Sequence, residues 1–179
     1  NTEIQTIPEG YTVSSVLQIH PEQIERIPQN IFQSFYDQWE DFKTQSHAQI
    51  IWTEDGSFAS MCYGAAFGSG LGEVDVFTDE KHRGKGLGEC AVQHFIKSLQ
   101  QEGKTAHWDC FLDNFGSLAL AKKCGFEFNK EDFKNEEDKQ KLAQWSQMVS
   151  SQVKDPTAAA AYITPANDLF NGLVADRKS

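Results

Sequence analysis

Hydrophobic and polar residues alternate in several short segments of the chain, and this period of two predicts β-strands. The predicted strands cover residues 11–19, 49–53, 58–67, 72–78, 104–112 and 126–129. The second and third of these strands flank the sequence Glu54-Asp55-Gly56-Ser57, in which Asp-Gly is a strong signal for a hairpin turn. The pattern therefore predicts a sheet of about six strands that contains an antiparallel hairpin.

Apolar residues three and four positions apart predict the helices. The clearest helix covers residues 87–101, and Gly103 follows it as a residue that tolerates left-handed geometry. A shorter helix covers residues 117–124, and further helical patterns follow Pro21 and run through the aromatic residues of 32–42. Because strands and helices alternate between residues 72 and 129, we predict an α/β fold, a mixed sheet with helices on both faces.

The pattern changes after about residue 130. Two amphipathic faces follow, one formed by Leu142, Trp145, Met148 and Val149, and the other by Leu169, Phe170, Leu173 and Val174. We therefore predict one domain over residues 1–130 and a helical C-terminal extension over residues 131–179, which packs on the same domain or contacts a partner.

Length and composition fit one domain in water. A chain of 179 residues can bury one good core, and no apolar run approaches the roughly 18 residues of a membrane helix. Because no signal peptide opens the sequence, we expect a cytoplasmic protein without membrane contacts. The four cysteines form no C-x-x-C pair, so neither a zinc site nor a disulfide framework is indicated, and we expect no metal.

The net charge narrows the choice of partners. A formal charge of −10 repels the phosphates of nucleic acids, and we expect no nucleic acid partner. The same negative charge would attract a cationic amine. Alternatively, the excess of acidic residues only keeps the protein soluble.

A glycine-rich turn lies between the strand 72–78 and the helix 87–101. In His82-Arg83-Gly84-Lys85-Gly86-Leu87-Gly88, main-chain amides without helical partners converge at the positive end of a helix dipole. Such a turn binds phosphate. The sequence fits neither a Walker A loop nor the dinucleotide pattern G-x-G-x-x-G, whose third glycine would fall at Glu89.

Two motifs at the expected separation carry a family resemblance. The first is R-x-x-G-x-G at Arg83, Gly86 and Gly88, and the second is N-x-x-[AS]-x-x-L-x-x-K-x-G-F between Asn114 and Phe126. Together they resemble the GNAT superfamily of N-acetyltransferases over residues 49–129. The sequence His107-Trp108-Asp109-Cys110 is similar to a bacterial subgroup that includes zwittermicin-resistance-type acetyltransferases.

The resemblance implies acetyl-CoA as the acetyl donor and a primary amine of a small molecule as the acceptor, in a monomer or homodimer. In this family the strand before the glycine turn separates from its neighbour and pairs with the pantetheine arm of the cofactor. The residues that would hold the cofactor are Val76, Phe77, Thr78, Arg83, Gly84, Lys85, Gly86, Leu87, Gly88, Asn114 and Ser117.

Three residues are candidates for the chemistry. Acetyl transfer needs a base that deprotonates the amine. Glu73 and Asp75 share one face of the strand before the glycine turn, and Glu73 lies where several family members keep a carboxylate base. His107 is the second choice. Each carboxylate could instead lie on a solvent-exposed face of the strand or form an ion pair with a basic side chain. His107 could instead be a structural residue that makes a hydrogen bond.

The chain departs from the family pattern at one position. Many relatives have a tyrosine seven residues after the motif asparagine that protonates the leaving thiolate, and here that residue is Ala121. Tyr63 or water could replace it, or the thiolate could leave unassisted. Two alternatives therefore stay open. The chain could be a non-catalytic module that binds acyl-CoA, or it could be the C-terminal catalytic part of a longer protein.

Overall fold

The computed structural model describes residues 4–110, 114–128, 136, 140, 143 and 162–164. In this part of the chain seven strands form one sheet in the order β1-β2-β3-β4-β5-β7-β6. The strands are β1 (Tyr11–Ser15), β2 (Gln49–Thr53), β3 (Phe58–Gly68), β4 (Leu71–Thr78), β5 (Thr105–Asp109), β6 (Glu127–Phe128) and β7 (Tyr162–Thr164). The helices are α1 (Pro21–Ile24), α2 (Gln29–Phe32), α3 (Trp39–Gln45), α4 (Leu87–Gln101) and α5 (Phe115–Lys123).

The first four strands form an antiparallel meander. The hairpin between β2 and β3 turns at Gly56, which has a φ of 77°, as the Asp-Gly signal predicts. Strand β3 carries an extra residue between Gly64 and Phe67, where its pairing with β4 shifts. This bulge lies opposite the part of β4 that contains Glu73, and it bends the sheet at that point.

The other half of the sheet is parallel. Strand β5 pairs with β4 only from Leu71↔Thr105 to Glu73↔His107, although both strands continue beyond this point. On its other side β5 pairs with β7, and β7 pairs with β6. The sheet is thus open between the outer halves of β4 and β5.

The strand β7 corrects the prediction that residues 131–179 are helical. Tyr162, Ile163 and Thr164 are aromatic or β-branched, which favours a strand, and they pair with the edge of β5 that would otherwise be open. Glu136, Gln140 and Ala143 are helical, as predicted. The two predicted apolar faces lie outside the described residues.

Several element boundaries also differ from the prediction. Strand β5 covers Thr105–Asp109 and not 104–112, and helix α5 covers Phe115–Lys123 and not 117–124. Strand β1 ends at Ser15 and not at residue 19, because the Ser15 hydroxyl accepts a hydrogen bond from the Leu17 amide and caps a short 3-10 turn. The aromatic segment 32–42 is not one helix but lies across α2 and α3 with a turn between them. The predicted bounds of β2 and α4 are confirmed.

Helices cover both faces of the sheet and bury two apolar clusters. Helices α4 and α5 pack on one face, where Leu87, Phe95, Leu99 and Leu118 are buried with Trp108. Segments of α1 to α3 cover the other face with Phe32, Tyr36 and Phe42, which pack with Met61 and Tyr63 of β3. No helix in the described ranges is both long and apolar enough to cross a membrane.

The bulge of β3 yields a stability prediction. A Cβ atom added to Gly64 would lie 2.3 Å from the ring of Phe67 and overlap it. A Cβ atom added to Gly72 would lie 2.6 Å from the same ring, so the ring is closely packed against both glycines. We expect Gly64→Ala to lower the free energy of unfolding by about 1–3 kcal/mol because the ring must move within packed surroundings. Urea unfolding measures it. Gly116→Ala is the matched control, since its Cβ meets nothing closer than 4.0 Å, and its stability should not fall.

Candidate active site

A cleft of about 520 Å³ opens where β4 and β5 separate. Its position follows from the register, because the two strands stop pairing at Glu73 and His107. It is lined by Phe35, Ala65, Glu73, Val74, Asp75, Val76, Trp108, Asp109, Cys110, Asn114, Gly116, Ser117 and Leu120. Most of these residues come from the two separated strands and from α5 with its N-cap, whereas Phe35 lies between α2 and α3 and Ala65 belongs to β3.

The two walls of the cleft differ because side chains alternate along a strand. Val74, Trp108 and Cys110 point toward the cluster under α4 and α5. Glu73, Asp75 and Asp109 occupy the intervening positions and point toward α1–α3. We call the first the apolar wall and the second the acidic wall.

Glu73 lies at the fork of the two strands and is only 2% exposed. Its carboxylate accepts hydrogen bonds from Nδ1 of His107 and from the amide of Asp109. Burial raises the pKa of Glu73, and these two hydrogen bonds oppose the shift. The carboxylate is therefore fixed in position and is a stronger proton acceptor than an exposed glutamate.

His107 is fully buried and belongs to β5 beside Glu73. Its Nε2 atom has no hydrogen-bond partner in the part of the chain that the structure describes. His107 does not line the cleft, so its contact with the site runs through Glu73.

Asp75 faces the cleft one pleat beyond Glu73. The hydroxyl of Tyr63 donates a hydrogen bond to its carboxylate and contacts the Ile31 carbonyl as well, at 3.1 Å. Burial raises the pKa of Asp75, and the bonds from Tyr63 and from the Val76 amide oppose the shift. Burial raises the pKa of Tyr63 strongly too, so its hydroxyl stays protonated and donates a hydrogen bond to the Asp75 carboxylate.

The raised pKa of Asp75 has a consequence for stability. Its contribution is fully present below the unfolded value, near 3.8, and is lost as the pH rises through the folded pKa. We expect the stability of Asp75→Asn relative to the wild type to increase over that range, with a slope of at most about 1.4 kcal/mol per pH unit. Urea unfolding between pH 3.5 and about 7.5 measures it. A stability difference between Asp75→Asn and the wild type that does not change over this range would contradict the assignment.

The glycine turn leads from β4 into α4 and leaves its main-chain amides accessible. Gly84 and Gly86 have φ values of 75° and 76°, in the left-handed region that glycine tolerates. Gly86 is the N-cap of α4, and no side chain caps the helix. The first amides of this 15-residue helix are therefore available to an anion, and the helix dipole favours one.

The basic side chains of the turn are held by local contacts. Nε of Arg83 donates to the Thr78 carbonyl at the end of β4, at 3.2 Å. Nζ of Lys85 donates to the Tyr11 hydroxyl at 3.1 Å, and this hydroxyl also contacts Nδ1 of His82. The residues 83–86 are exposed, so both basic side chains are accessible to an anion from solvent.

Gly88 adjoins the outer end of the cleft. A Cβ atom there would lie 3.3 Å from Oγ1 of Thr78, 3.7 Å from Leu120 and 3.8 Å from Val76. Leu87, by contrast, is buried in the cluster under α4, so it anchors the helix and offers its amide only. The glycine keeps the first turn of α4 close to β4 and α5.

Asn114 and Ser117 border the cleft from α5. Oδ1 of Asn114 accepts a hydrogen bond from the Ser117 amide at 3.2 Å and caps the helix. Oγ of Ser117 accepts one from Nε1 of Trp108 at 2.9 Å, which ties α5 to β5. Both residues therefore shape the wall opposite β4.

Comparison with known proteins decides the family. A model of the GNAT acetyltransferase family, described as GNAT acetyltransferase, matches residues 1–132, which is 132 of the 179 residues. The chain belongs to the GNAT acetyltransferase family. It is also 39% identical, over 67 residues, to the uncharacterized N-acetyltransferase YdfB of Bacillus subtilis, a match that covers 37% of this chain and 26% of that protein.

Solved GNAT structures share the fold. An acetyltransferase of the GNAT family from Streptococcus pneumoniae superposes with a TM-score of 0.53 at 11% identity, over 66% of this chain and 85% of that one. A GCN5-related N-acetyltransferase-like protein from Streptococcus suis gives a TM-score of 0.50 at 21% identity, over 65% of this chain and 46% of that one. The match thus spans less than half the length of the Bacillus and Streptococcus suis relatives.

The GNAT motif residues and the cleft do not coincide everywhere. Val76 lines the cleft, but the Phe77 ring stacks on Phe58, and the Thr78 hydroxyl bonds to Ser60 at 2.8 Å. Only the main chain of these two residues can serve a ligand between the strands. Ala121, which replaces the GNAT tyrosine, is fully buried and does not line the cleft.

The structure adds residues that the motifs did not reveal. The Asp109 amide, the Tyr63 hydroxyl and the Phe35 ring belong to the site, and Asp109 could have been found because it lies two residues after His107, on the same face of β5. The rings of Tyr36, Trp39, Trp52 and Tyr63 pack in or against the apolar cluster below α1–α3. No group of His, Cys, Asp and Glu that could hold a metal occurs among the described residues.

Proposed function

We propose that the chain is an N-acetyltransferase that transfers an acetyl group from acetyl-CoA to a primary amine of a small molecule, by direct attack in a ternary complex. The observation that carries the proposal is the position of Glu73. Its buried carboxylate stands at the fork of β4 and β5, at the closed end of a cleft that extends toward the uncapped N-terminus of α4.

Several features of the chain fit coenzyme A. The amides of Gly84 to Gly88 and the cations of Arg83 and Lys85 would hold the diphosphate, because they combine free donors with a helix dipole. The main chain of Val76, Phe77 and Thr78 would pair with the pantetheine arm on the side that β5 leaves open. Asn114 and Ser117 would border this arm from α5.

Acetyl-CoA supplies the acetyl group as a thioester, which a deprotonated amine can attack directly. Glu73 is assigned the role of general base. It takes a proton from the acceptor ammonium. Its raised pKa makes the carboxylate a stronger base than an exposed glutamate and therefore a better acceptor for this proton. The Nδ1 of His107 and the amide of Asp109 hold the carboxylate during this step, so His107 is a positioning residue.

Among the described residues that line the cleft there is no tyrosine that could protonate the departing sulfur. Ala121 is buried in the core, and the Tyr63 hydroxyl is engaged with Asp75 and Ile31. A thiolate of pKa near 8.5 leaves tolerably well at neutral pH, and water in the cleft can protonate it afterwards. We therefore expect turnover without a side-chain acid.

The second candidate is a module that binds acyl-CoA without turning it over, and the buried Ala121 favours it. Thiol release from acetyl-CoA separates the two functions. With a panel of primary amines, the proposed enzyme releases CoA at a rate that depends on the amine, and mass spectrometry finds the N-acetyl product. Binding of CoA without amine-dependent release would support the module.

A further inference from the structure

A second pocket, of about 340 Å³, lies along the C-terminal half of α4, away from the glycine turn at the N-terminus of that helix. Its other walls come from the end of α3, the start of β2, and the end of β1 with the turn that follows it. We call it the α3–α4 pocket. It shares no lining residue with the cleft between β4 and β5, so it is a separate site.

The polar face of α4 forms one wall of the α3–α4 pocket. His94, Lys97, Ser98 and Gln101 follow each other at intervals of three and four, so they share one face of the helix. The buried residues of α4, such as Leu99, pack in the apolar cluster on the sheet. The pocket is thus built from side chains that the core does not use.

Two lysines give the α3–α4 pocket a positive charge. Within the described residues, neither Lys43 on α3 nor Lys97 on α4 forms an ion pair with a carboxylate. Glu102 also lines the pocket, but its charge is already compensated, because Nζ of Lys104 donates to it at 2.7 Å and Nε2 of His47 lies 3.4 Å from it. The pocket therefore carries positive charge in a protein whose formal net charge is −10.

The helix ends near this pocket do not cancel that charge. Helix α3 ends at Gln45 and α4 at Gln101, and the C-terminus of a helix carries about half a negative charge. Even if both ends act fully on the pocket, their sum is about one negative charge, half of what the two ammonium groups supply. An anion is therefore favoured.

His94 offers a polar atom that the described part of the fold leaves without a partner. Its Nε2 atom is buried, and no described residue forms a hydrogen bond with it. Burial lowers the pKa of His94, and the charge of Lys97 lowers it further, so near pH 7 the ring is neutral and keeps one N–H group. A buried polar atom without a hydrogen bond costs about 1–3 kcal/mol, and a ligand oxygen that accepts a hydrogen bond from Nε2 would remove this cost.

We propose that the α3–α4 pocket binds a small dianion, either a dicarboxylate or a phosphate-bearing compound, whose negative charges pair with Lys43 and Lys97 and one of whose oxygens accepts a hydrogen bond from Nε2 of His94. Leu17 is 65% exposed at this pocket and would cover the carbon chain of such a ligand. The inference goes beyond acetyl transfer and does not depend on it, because the pocket lies apart from the cleft.

Matched ligands test the charge requirement. Succinate, inorganic phosphate and succinamide, the neutral analogue of succinate, are titrated at constant ionic strength into the protein saturated with CoA, so that the glycine turn is already occupied. Isothermal titration calorimetry should show one site at which succinate or phosphate binds at least about ten times more tightly than succinamide, as expected for charge-assisted contacts. Equal affinity for all three compounds, or no binding of either anion, would overturn the inference.

Variants locate the site. We expect Lys43→Gln and Lys97→Gln each to weaken binding of the tighter anion by about tenfold, and the double variant to weaken it further, with CoA affinity unchanged. The control Lys123→Gln replaces an exposed lysine on α5 and should keep the wild-type affinity. Anion binding that survives in the double variant would contradict the assignment to this pocket. If CoA itself does not bind, the proposed function fails, and the same titrations of the free protein and the double variant still decide this inference.

Discussion

Replacing Glu73 by glutamine is expected to lower kcat/KM for acetyl transfer by about 10²- to 10⁴-fold, the usual contribution of a general base. Glutamine fills the same space and can still contact Nδ1 of His107 and the Asp109 amide, but it cannot accept the proton of the acceptor. The affinity for CoA should not change, because the residue lies at the opposite end of the cleft from the glycine turn. Steady-state kinetics and calorimetry measure the two effects.

The pH dependence provides an independent readout of the same residue. The pKa of Glu73 is raised by burial, so kcat/KM of the wild type should fall as the pH decreases through that raised value, where the carboxylate becomes protonated. The acid limb should be absent in Glu73→Gln. The exposed variant Glu22→Gln provides the control, and full activity of Glu73→Gln at neutral pH would remove Glu73 from the mechanism.

The second large effect is expected at Gly88. Valine there would place two methyl groups into the narrow space between Thr78, Val76 and Leu120, at the outer end of the cleft. We expect Gly88→Val to weaken CoA binding by roughly 100-fold or more, equivalent to about 3 kcal/mol, because the side chain blocks the approach to the first amides of α4. Isothermal titration calorimetry with CoA measures this loss.

A graded series separates blocked binding from misfolding. Gly88→Ala adds one methyl group at 3.3–3.8 Å from its neighbours and should reduce CoA affinity by less than the valine does. The Tm of each variant shows whether the fold survives. Wild-type CoA affinity in a folded Gly88→Val protein would contradict the proposed cofactor path.

Local patterns predicted much of the fold. The bounds of β2 and α4 follow from periodicity and from turn signals within the same segments, such as Asp55-Gly56 and Gly103. The strand β7 was not predicted because it has three residues and gains its pairing from β5, more than 50 positions earlier in the chain. Helix propensity in the aromatic segment was likewise overridden by packing of Phe32 and Phe42 on the sheet.

The same distinction holds for the site. The glycine turn, Asn114 and the carboxylates of β4 are candidates that follow from motifs and from alternation along one strand. The contacts that tune them could not be found this way, because the bond from Tyr63 to Asp75 depends on the β3–β4 register and that from His107 to Glu73 on the β4–β5 register. Register depends on both paired strands and on the connection between them, so it cannot be read from either segment alone.

The most direct test of the account is a crystal structure of the chain with coenzyme A. We predict density for the diphosphate against the amides of residues 84–88 and for the pantetheine arm between β4 and β5, with the sulfur near the fork at Glu73. Density for the cofactor at another place on the protein, with none in the cleft between β4 and β5, would contradict the central claim.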